Sequence, residues 1–434
     1  MQSHQSPSVF TEEFRPTSHF TPAKNWMNDP NGLLFYKGKY HLFFQHNPSG
    51  ILWGDMSWGH AVSTDLFHWE HLPVAIPYTD TTGMFSGSAV VDFTNTSGFG
   101  SLENPPMVAI YTVHQNDESN QSQHIAYSLD EGLTWTKYAN NPVLDLGMKD
   151  FRDPKVTWDA VNNHWLMTIA KPKEFKIAFF SSLDLKSWKH LSDFGPLGAT
   201  GGVWECPDLF SLTTPSGKVK WVLLVSLNPG GVAGGSGTQY FIGEWDGKTF
   251  TTDQSSTLWI DYGRDNYAGV TFNHAPNNRR IFLGWMCNWD YAAKLPSPIW
   301  RTSMTTPREL ALIEVNNKIL LTSEPIAETT ALHDDSFAIT ADKDAVITIG
   351  DAPRQVTIKF DATTKKISID RSGAWYDGIE DVVQASPAIE LQEFTIRTVI
   401  DHGSLELFIP EAGLAMTCLH SLAATGAILQ NSAN

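Results

Sequence analysis

Cysteine is scarce: three in 434 residues, Cys206, Cys287 and Cys418. They lie far apart and form no CxxC pair, which argues against a zinc site and leaves room for at most one disulfide. The simpler expectation is three small, buried apolar residues. Positive charge is short as well. Lys and Arg number 30 against 47 Asp and Glu, a formal net charge of −17. A surface this acidic repels phosphate backbones and anionic lipid heads, so neither nucleic acid nor membrane is expected as a partner. No apolar run reaches the roughly 18 residues that span a bilayer. The start, Met1 to Pro7, is polar and lacks the apolar stretch of a signal peptide. Helical periodicity is also scarce. That leaves an ordinary hydrophobic content of 41% and an unusual 16 tryptophans, whose faces fill β-cores or stack on neutral sugar rings.

Short alternating or apolar runs dominate: Leu33–Tyr36, Tyr40–Phe44, Met107–Thr112, Trp165–Ile169, Lys176–Phe180, Trp221–Ser226 and Ile281–Trp285. Gly, Pro, Asn and Asp punctuate them, the pattern of many short strands joined by turns. A weak repeat runs through the first part. Ser63-Thr-Asp65 precedes Trp69, Ser128-Leu-Asp130 precedes Trp135, and Ser182-Leu-Asp184 precedes Trp188; Asp246-Gly-Lys with Phe250 is a worn fourth copy. The period, roughly sixty residues, suits one four-stranded propeller blade better than one hairpin. The reading is all-β: a five-bladed β-propeller over residues 18–312, preceded by an extension at 1–17. A linker at 313–320, reached through Thr305–Leu312, leads to a C-terminal β-sandwich at 321–434, where Trp becomes rare and alternation continues. Ser421–Asn434 shows no clear strand pattern. Sequons at Asn95 and Asn120 permit N-glycosylation.

Three carboxylates sit in unusual settings. Asp29, in Trp26-Met-Asn-Asp-Pro-Asn-Gly32, precedes a proline and then a tight-turn dipeptide, so it is expected on a constrained corner. Asp153, in Phe151-Arg-Asp-Pro154, also precedes proline, and Arg152 beside it can clamp hydroxyls or hold a carboxylate. Glu205 lies beside Trp204 in a stretch with few charges, an apolar setting that would raise its pKa as a general acid requires. Taken singly, the Asp29 run is more often a plain β-turn, and Asp153 and Glu205 read equally as a loop salt bridge and an exposed loop glutamate. Together they fall near the starts of three successive blades, whose strand ends would converge on one pocket. Glycoside hydrolysis asks for such a set.

The segments Trp26–Gly32, Arg152-Asp153-Pro154 and Trp204-Glu205-Cys206-Pro207 resemble the three signature motifs of glycoside hydrolase family 32, the invertase, inulinase and levanase family. Phe44–Pro48, Trp53-Gly54, Trp58-Gly59-His60, Phe85-Ser-Gly-Ser88, Trp285-Met286 with Asn288-Trp289, Thr306–Leu310 and Asp401-His-Gly-Ser404 extend the likeness over nearly the whole chain. Its local flavour is closest to fungal and microbial exo-inulinases and levanases. The resemblance implies a five-bladed propeller followed by a sandwich. It implies Asp29 as nucleophile, Glu205 as acid/base and Asp153 as transition-state stabiliser, with Asp29 and Asp153 both ionised. It also implies that Trp26, Asn28, Gln45, Trp53, Phe85, Ser86, Arg152 and Trp285 form the fructose pocket, with Asp261 touching the leaving sugar. No metal or other cofactor is expected. The implied activity is retaining, exo-acting hydrolysis of terminal β-D-fructosyl residues of sucrose, inulin or levan, in an extracellular, cell-wall or periplasmic location. A fructosyltransferase using the same site is the alternative within the family; a non-catalytic sugar-binding propeller and an arabinan-cleaving enzyme are the alternatives outside it.

Overall fold

In the computed structural model, which describes residue 12 and residues 15–329 and 333–430, strands carry nearly all the regular structure. Most of the expected extension 1–17 lies outside the described residues. Every run read as a strand from the sequence lies inside an observed one; Leu33–Tyr36, for example, ends the strand Asn25–Tyr36. Between Asn25 and Pro325 the strands form five antiparallel sheets, each built outward in chain order. Their first strands are Asn25–Tyr36, Thr82–Val91, Arg152–Asp159, Val203–Thr213 and Tyr267–Thr271. Each of these touches the next, and the fifth touches the first, so the five close into a ring. Trp300–Arg301, beyond the fifth sheet's second strand, seals the circle by pairing parallel with Asn25–Trp26 of the first.

The repeat seen in the sequence falls at one place in each of the first four sheets, the turn between third and fourth strands. Ser63 donates its hydroxyl to Asp65 at 3.0 Å, Ser128 to Asp130 at 2.8 Å and Ser182 to Asp184 at 3.1 Å. The indole N–H of Trp69, Trp135 or Trp188 then closes the turn on the backbone carbonyl three residues earlier. Asp246 accepts from the N–H groups of Lys248 and Thr249 at the equivalent place in the fourth sheet. The worn copy is therefore a genuine one.

Two further sheets follow. One joins His333–Thr340, Glu393–Asp401, Ser404–Ile409 and Leu414–Leu419; the other joins Gln384–Ala385, Lys366–Asp370, Arg354–Asp361, Ala345–Asp351 and Ala427–Gln430. Both feed one apolar cluster that includes Ile347, Ile358, Ile369, Ile396 and Leu407. Two expectations about boundaries change. Residues 313–320 are not a linker: Arg308–Val315 and Lys318–Pro325 form a hairpin that completes the fifth sheet. Alternation in Lys318–Pro325 belongs to the ring, because a strand pattern does not reveal which sheet it joins. The tail 421–434 also contains a strand, since Ala427–Gln430 pairs with Ala345–Asp351 as an edge.

Candidate active site

Each first strand of the ring is bulged at one level. The ladder skips Asn28-Asp29, Phe85-Ser86, Asp153-Pro154, Cys206-Pro207 and Ala268-Gly269. A bulge breaks pairing and re-aims side chains. Asp153, Cys206 and Ala268 adopt left-handed φ of 66°, 46° and 54°, a strain that non-glycine residues bear mostly at functional sites. The Asp29–Gly32 segment is thus not the isolated tight turn expected from its sequence. It is part of a continuous, bulged strand, because Pro30 and Asn31 re-enter the ladder with Phe44 and Phe43.

Side chains from all five first strands, joined by Gln45 from the second strand of the first sheet, line one open cavity of about 470 Å³. Asn28 and Asp29, Phe85 and Ser86, Arg152 and Asp153, Val203 and Glu205, and Tyr267 all face it. The three carboxylates therefore meet, although they come from the first, third and fourth sheets rather than from three successive ones. The second sheet supplies the serine that holds the first carboxylate.

Asp29 accepts from the Ser86 hydroxyl at 2.7 Å and from the Asn28 amide at 3.0 Å. Asn28 is itself anchored by the Trp26 indole N–H at 2.7 Å. Burial pushes Asp29 up to about 6; the two hydrogen bonds oppose this and nearby Glu205 adds to it. Asp153 accepts from the Cys206 backbone N–H at 3.0 Å. Its carboxyl is also raised, by burial first, with Arg152 opposing and Glu205 and Asp29 reinforcing. The Cys206 sulfur lies 3.7 Å from Asp29 and 3.6 Å from Asp153, a weak donor between two acceptors. The pairing of two fully ionised aspartates is thus modified: in the free protein both are shifted toward neutrality.

Glu205 is not in the apolar setting expected. Arg152 donates to one of its oxygens from Nη2 at 2.8 Å and from Nε at 3.1 Å, and the Tyr267 hydroxyl donates to the other. Arg152 is held in turn by Asp150 at 3.1 Å. The few charges near Glu205 in sequence said nothing of the charges brought to it from other sheets.

Three further expectations are corrected. Trp285 has no exposed surface; its indole donates to Thr302 and its ring packs behind Trp289, which is the residue of this motif that reaches the cavity. Trp26 is likewise fully buried, stacked on Trp289, and supports the site from behind. Asp261 is not at the cavity. It is buried between the ring and the two C-terminal sheets, bound to Arg308 at 2.9 Å and to both the N–H and hydroxyl of Thr417. Gln45, Trp53, Phe85, Ser86 and Arg152 do line the cavity.

The model of the glycosyl hydrolases family 32 N-terminal domain matches residues 19–325, the span of the five sheets. The chain belongs to glycosyl hydrolase family 32. The levanase of Bacillus subtilis (strain 168) is 51% identical over 331 residues, which cover 74% of this chain and 48% of the levanase. The extracellular exo-inulinase of Aspergillus ficuum is 47% identical over 350 residues, covering 73% of this chain and 65% of that protein. The chain thus aligns with between about half and two thirds of these family 32 relatives' length. Among solved family 32 folds, the exo-inulinase from Aspergillus awamori superposes with a TM-score of 0.90 at 36% identity, over 97% of this chain and 95% of that one. The β-fructofuranosidase from Schwanniomyces occidentalis, complexed with fructosyl-erythritol, superposes at 0.83 with 34% identity, over 94% and 91%.

Sequence reasoning missed several residues of this family 32 cavity: Tyr267, Trp289, His114, Asn228 and the charged rim of Glu118, Lys149, Asp150 and Lys173. Trp289 was visible in the Trp285–Trp289 motif. The alternative choice could not be made there, because the motif leaves the strand Ile281–Met286 before reaching it. Tyr267 stands in no motif; only the fifth bulge reveals it.

Proposed function

We propose that the protein is a retaining β-fructofuranosidase that removes terminal fructosyl units from sucrose or fructans. The observation that carries this is the meeting of Asp29, Asp153 and Glu205 in one cavity, each on or next to a bulge of a different sheet. The five sheets are read as the blades of a propeller and the last two as a β-sandwich, a reading supported by the closed ring and the shared apolar core.

In the proposed reaction a fructosyl unit fills the cavity with its hydroxyls toward Asn28, Gln45, Arg152 and Asp153. Asp29 attacks C2 while Glu205 gives its proton to the glycosidic oxygen, so the leaving sugar departs neutral and a fructosyl ester forms on Asp29. Glu205, now a base, takes a proton from water, which attacks C2 and frees the Asp29 carboxylate. Positive charge builds at C2 and the ring oxygen during both steps, and Asp153 is placed to oppose it. Arg152 and Tyr267 fix the orientation of Glu205 from opposite sides. Arrival of an electron-poor centre between Asp29 and Asp153 favours the ionised form of each, drawing both carboxyls below their raised resting values.

Release of free fructose from sucrose, inulin or levan, followed by chromatography, tests the activity. Asp29→Ala should lower kcat by about four orders of magnitude with the fold intact, and the first-formed fructose should carry the β configuration. Near-native turnover in that variant, or an inverted anomer, would refute the assignment. A fructosyltransferase would instead yield longer oligosaccharides at high sucrose; the hydrolytic names of the levanase, exo-inulinase and invertase relatives support the hydrolase. The extracellular naming of the exo-inulinases supports a secreted location.

A further inference from the structure

The second sheet presents a polar ladder to the third. Thr112 and His114 lie two apart on the strand Met107–Gln115, and Gln121 and Gln123 lie two apart on the strand Gln121–Ser128, so each pair shares a face. The register sets Thr112 opposite Gln123 and His114 opposite Gln121. Thr112, Gln121 and Gln123 are buried. Together they hold the backbone that enters the third sheet's bulge. The Thr112 hydroxyl accepts from the Asp153 N–H at 3.1 Å and donates to Gln123 at 2.8 Å, and the Gln123 amide donates to Phe151 O at 2.8 Å. Gln121 takes the other side of Phe151. Its oxygen accepts from the Phe151 N–H at 2.9 Å and from Arg152 Nη1 at 3.3 Å.

Phe151 decides which way the Gln121 amide points. A backbone N–H only donates, so the atom facing it is the oxygen, and the NH2 is left to point at His114 Nδ1, 3.3 Å away. Nδ1 is then the acceptor, which puts the proton of the neutral ring on Nε2. Phe85 lies flat on this imidazole, ring centres 4.5 Å apart and planes at 14°, and keeps it from swinging aside. A second proton, on Nδ1, would set two donors face to face. Flipping the ring offers only a carbon. Flipping the amide would turn its NH2 on the Phe151 N–H and the Arg152 guanidinium. No arrangement of the charged ring keeps the ladder whole. His114 is only half-buried, within reach of protons from solvent. It faces Arg152 of the third sheet, Lys149 and Asp150 just before that sheet, and Asp117 and Glu118 in the turn beyond its own strand. Asp55 and Tyr78 share the adjoining pocket wall with it. Burial first, and Arg152 second, lower its pKa below the ordinary 6.5.

We propose that His114 is a positioning residue: through Gln121 it holds Arg152 against Glu205 while its Nδ1 is unprotonated, and it releases that hold when the ring takes up a proton. The inference rests on the fructosidase reading, in which Glu205 is the acid/base. Arg152 Nη1 has two partners, Gln121 and Asp150. With Gln121 displaced, only Asp150 holds that nitrogen, and the grip of Nε and Nη2 on Glu205 loses one of its two anchors. The acid limb of the reaction then has two sources, neutralisation of Asp29 and release of Arg152.

Two variants separate these sources. His114→Asn places an amide oxygen close to where Nδ1 stands and does not titrate; His114→Phe keeps the stack on Phe85 and offers no acceptor. kcat/KM for fructose release from sucrose is measured from about pH 4.5 to about pH 7.5, spanning the titration of an imidazole. Each profile is scaled to its own value at the upper end, and thermal unfolding checks the fold. His114→Asn should retain about tenfold more of its activity at the acid end than the wild type does, short of the roughly 100-fold that a 1 Å misplacement costs. Before scaling, His114→Phe should lie about tenfold below His114→Asn at every pH, since neither side chain titrates. Superposed profiles of the wild type and His114→Asn would overturn the inference, as would equal activity of His114→Asn and His114→Phe. Should His114→Phe fail to fold, the His114→Asn profile decides alone. A wild type that releases no fructose from sucrose, inulin or levan would instead overturn the fructosidase reading itself.

Discussion

At the scale of single residues, the site stores free energy in its carboxylates. Asp29 has an ordinary value of 3.8 and is pushed up to about 6, mainly by burial. The sign of the linkage follows. A carboxyl raised in the folded state contributes stability that is complete below about 3.8 and is lost as pH rises through about 6. The ionised carboxylate is therefore a burden on the fold at neutral pH, retained because the nucleophile must be charged. Asp29→Asn removes the charge, and its neighbours can adapt: the Ser86 hydroxyl rotates to accept from the new amide while Asn28 still donates. The variant should be nearly inactive yet more stable than the wild type, by about 3 kcal/mol at pH 7.5 and by well under about 1 kcal/mol at pH 4. Thermal unfolding of both proteins across that range measures the gap, and a gap independent of pH would show that burial is not the cause.

Among elements, the first strands of neighbouring sheets face each other without a shared backbone ladder, so side chains must bridge them. The Ser88 hydroxyl donates to Pro154 O at 2.9 Å and accepts from Val156 N–H at 2.8 Å, tying the second sheet to the third. The Asn273 amide donates to Ala89 O at 2.8 Å and Val156 O at 3.0 Å, tying the fifth region of the chain to both. Asp208 accepts from the N–H and hydroxyl of Thr271 at 2.7 and 2.8 Å, with Lys155 beside it at 3.4 Å. These groups are all buried. Asn273→Ala should orphan two carbonyls at once and cost about 2–4 kcal/mol, at roughly 1–3 kcal/mol for a buried unsatisfied group. Denaturant melts read the loss directly; a change under about 0.5 kcal/mol, the range of a neutral surface substitution, would mean that the sheets hold together without the bridge.

Across the whole molecule, the ring and the two C-terminal sheets are locked by a buried ionic cluster rather than by an apolar seam alone. Arg308, fully buried in the fifth sheet, binds Asp261 at 2.9 Å and Glu406, in the C-terminal strand Ser404–Ile409, through Nε at 3.1 Å. His19 bridges Asp401 at 2.9 Å and Glu406 at 2.8 Å. Although burial alone would lower it, the two carboxylates raise His19 to about 9, and Glu406 falls to about 2 under Arg308 and His19. The contribution of His19 is complete below about 6.5 and is lost as pH rises through about 9; that of Glu406 is present above about 4.5 and is lost as pH falls through about 2. The junction is therefore strongest between about pH 4.5 and 6.5. His19→Gln should lower Tm most in that window, with the difference from wild type shrinking toward pH 10. Arg308→Met leaves two buried acids facing each other and should cost about 3–5 kcal/mol, with proteolysis at the junction as a second readout.

Local chemistry made much of this architecture legible in the sequence. Strand alternation marked every sheet, and the Ser-x-Asp…Trp turn marked where four of them fold back, because a side chain bonding its own turn needs nothing from elsewhere. The bulges were not read there: Asp29-Pro30 reads as a constrained corner, although Pro154 and Pro207 fall in positions the ladder skips, where a residue that cannot donate does no harm. Gly87, beside one bulge, and Gly269, inside another, lie where a Cβ would strike Ile110 O or the Phe282 ring. Only the tertiary structure decided what those bulges face. Arg152 and Tyr267 reach Glu205 from other sheets, Trp289 rather than Trp285 takes the cavity, and Asp261 turns away to bind Arg308. Closure of the ring sets these choices. It fixes which of two neighbouring side chains points at the axis and which is spent holding the sheets together, and the distances concerned run across the chain rather than along it.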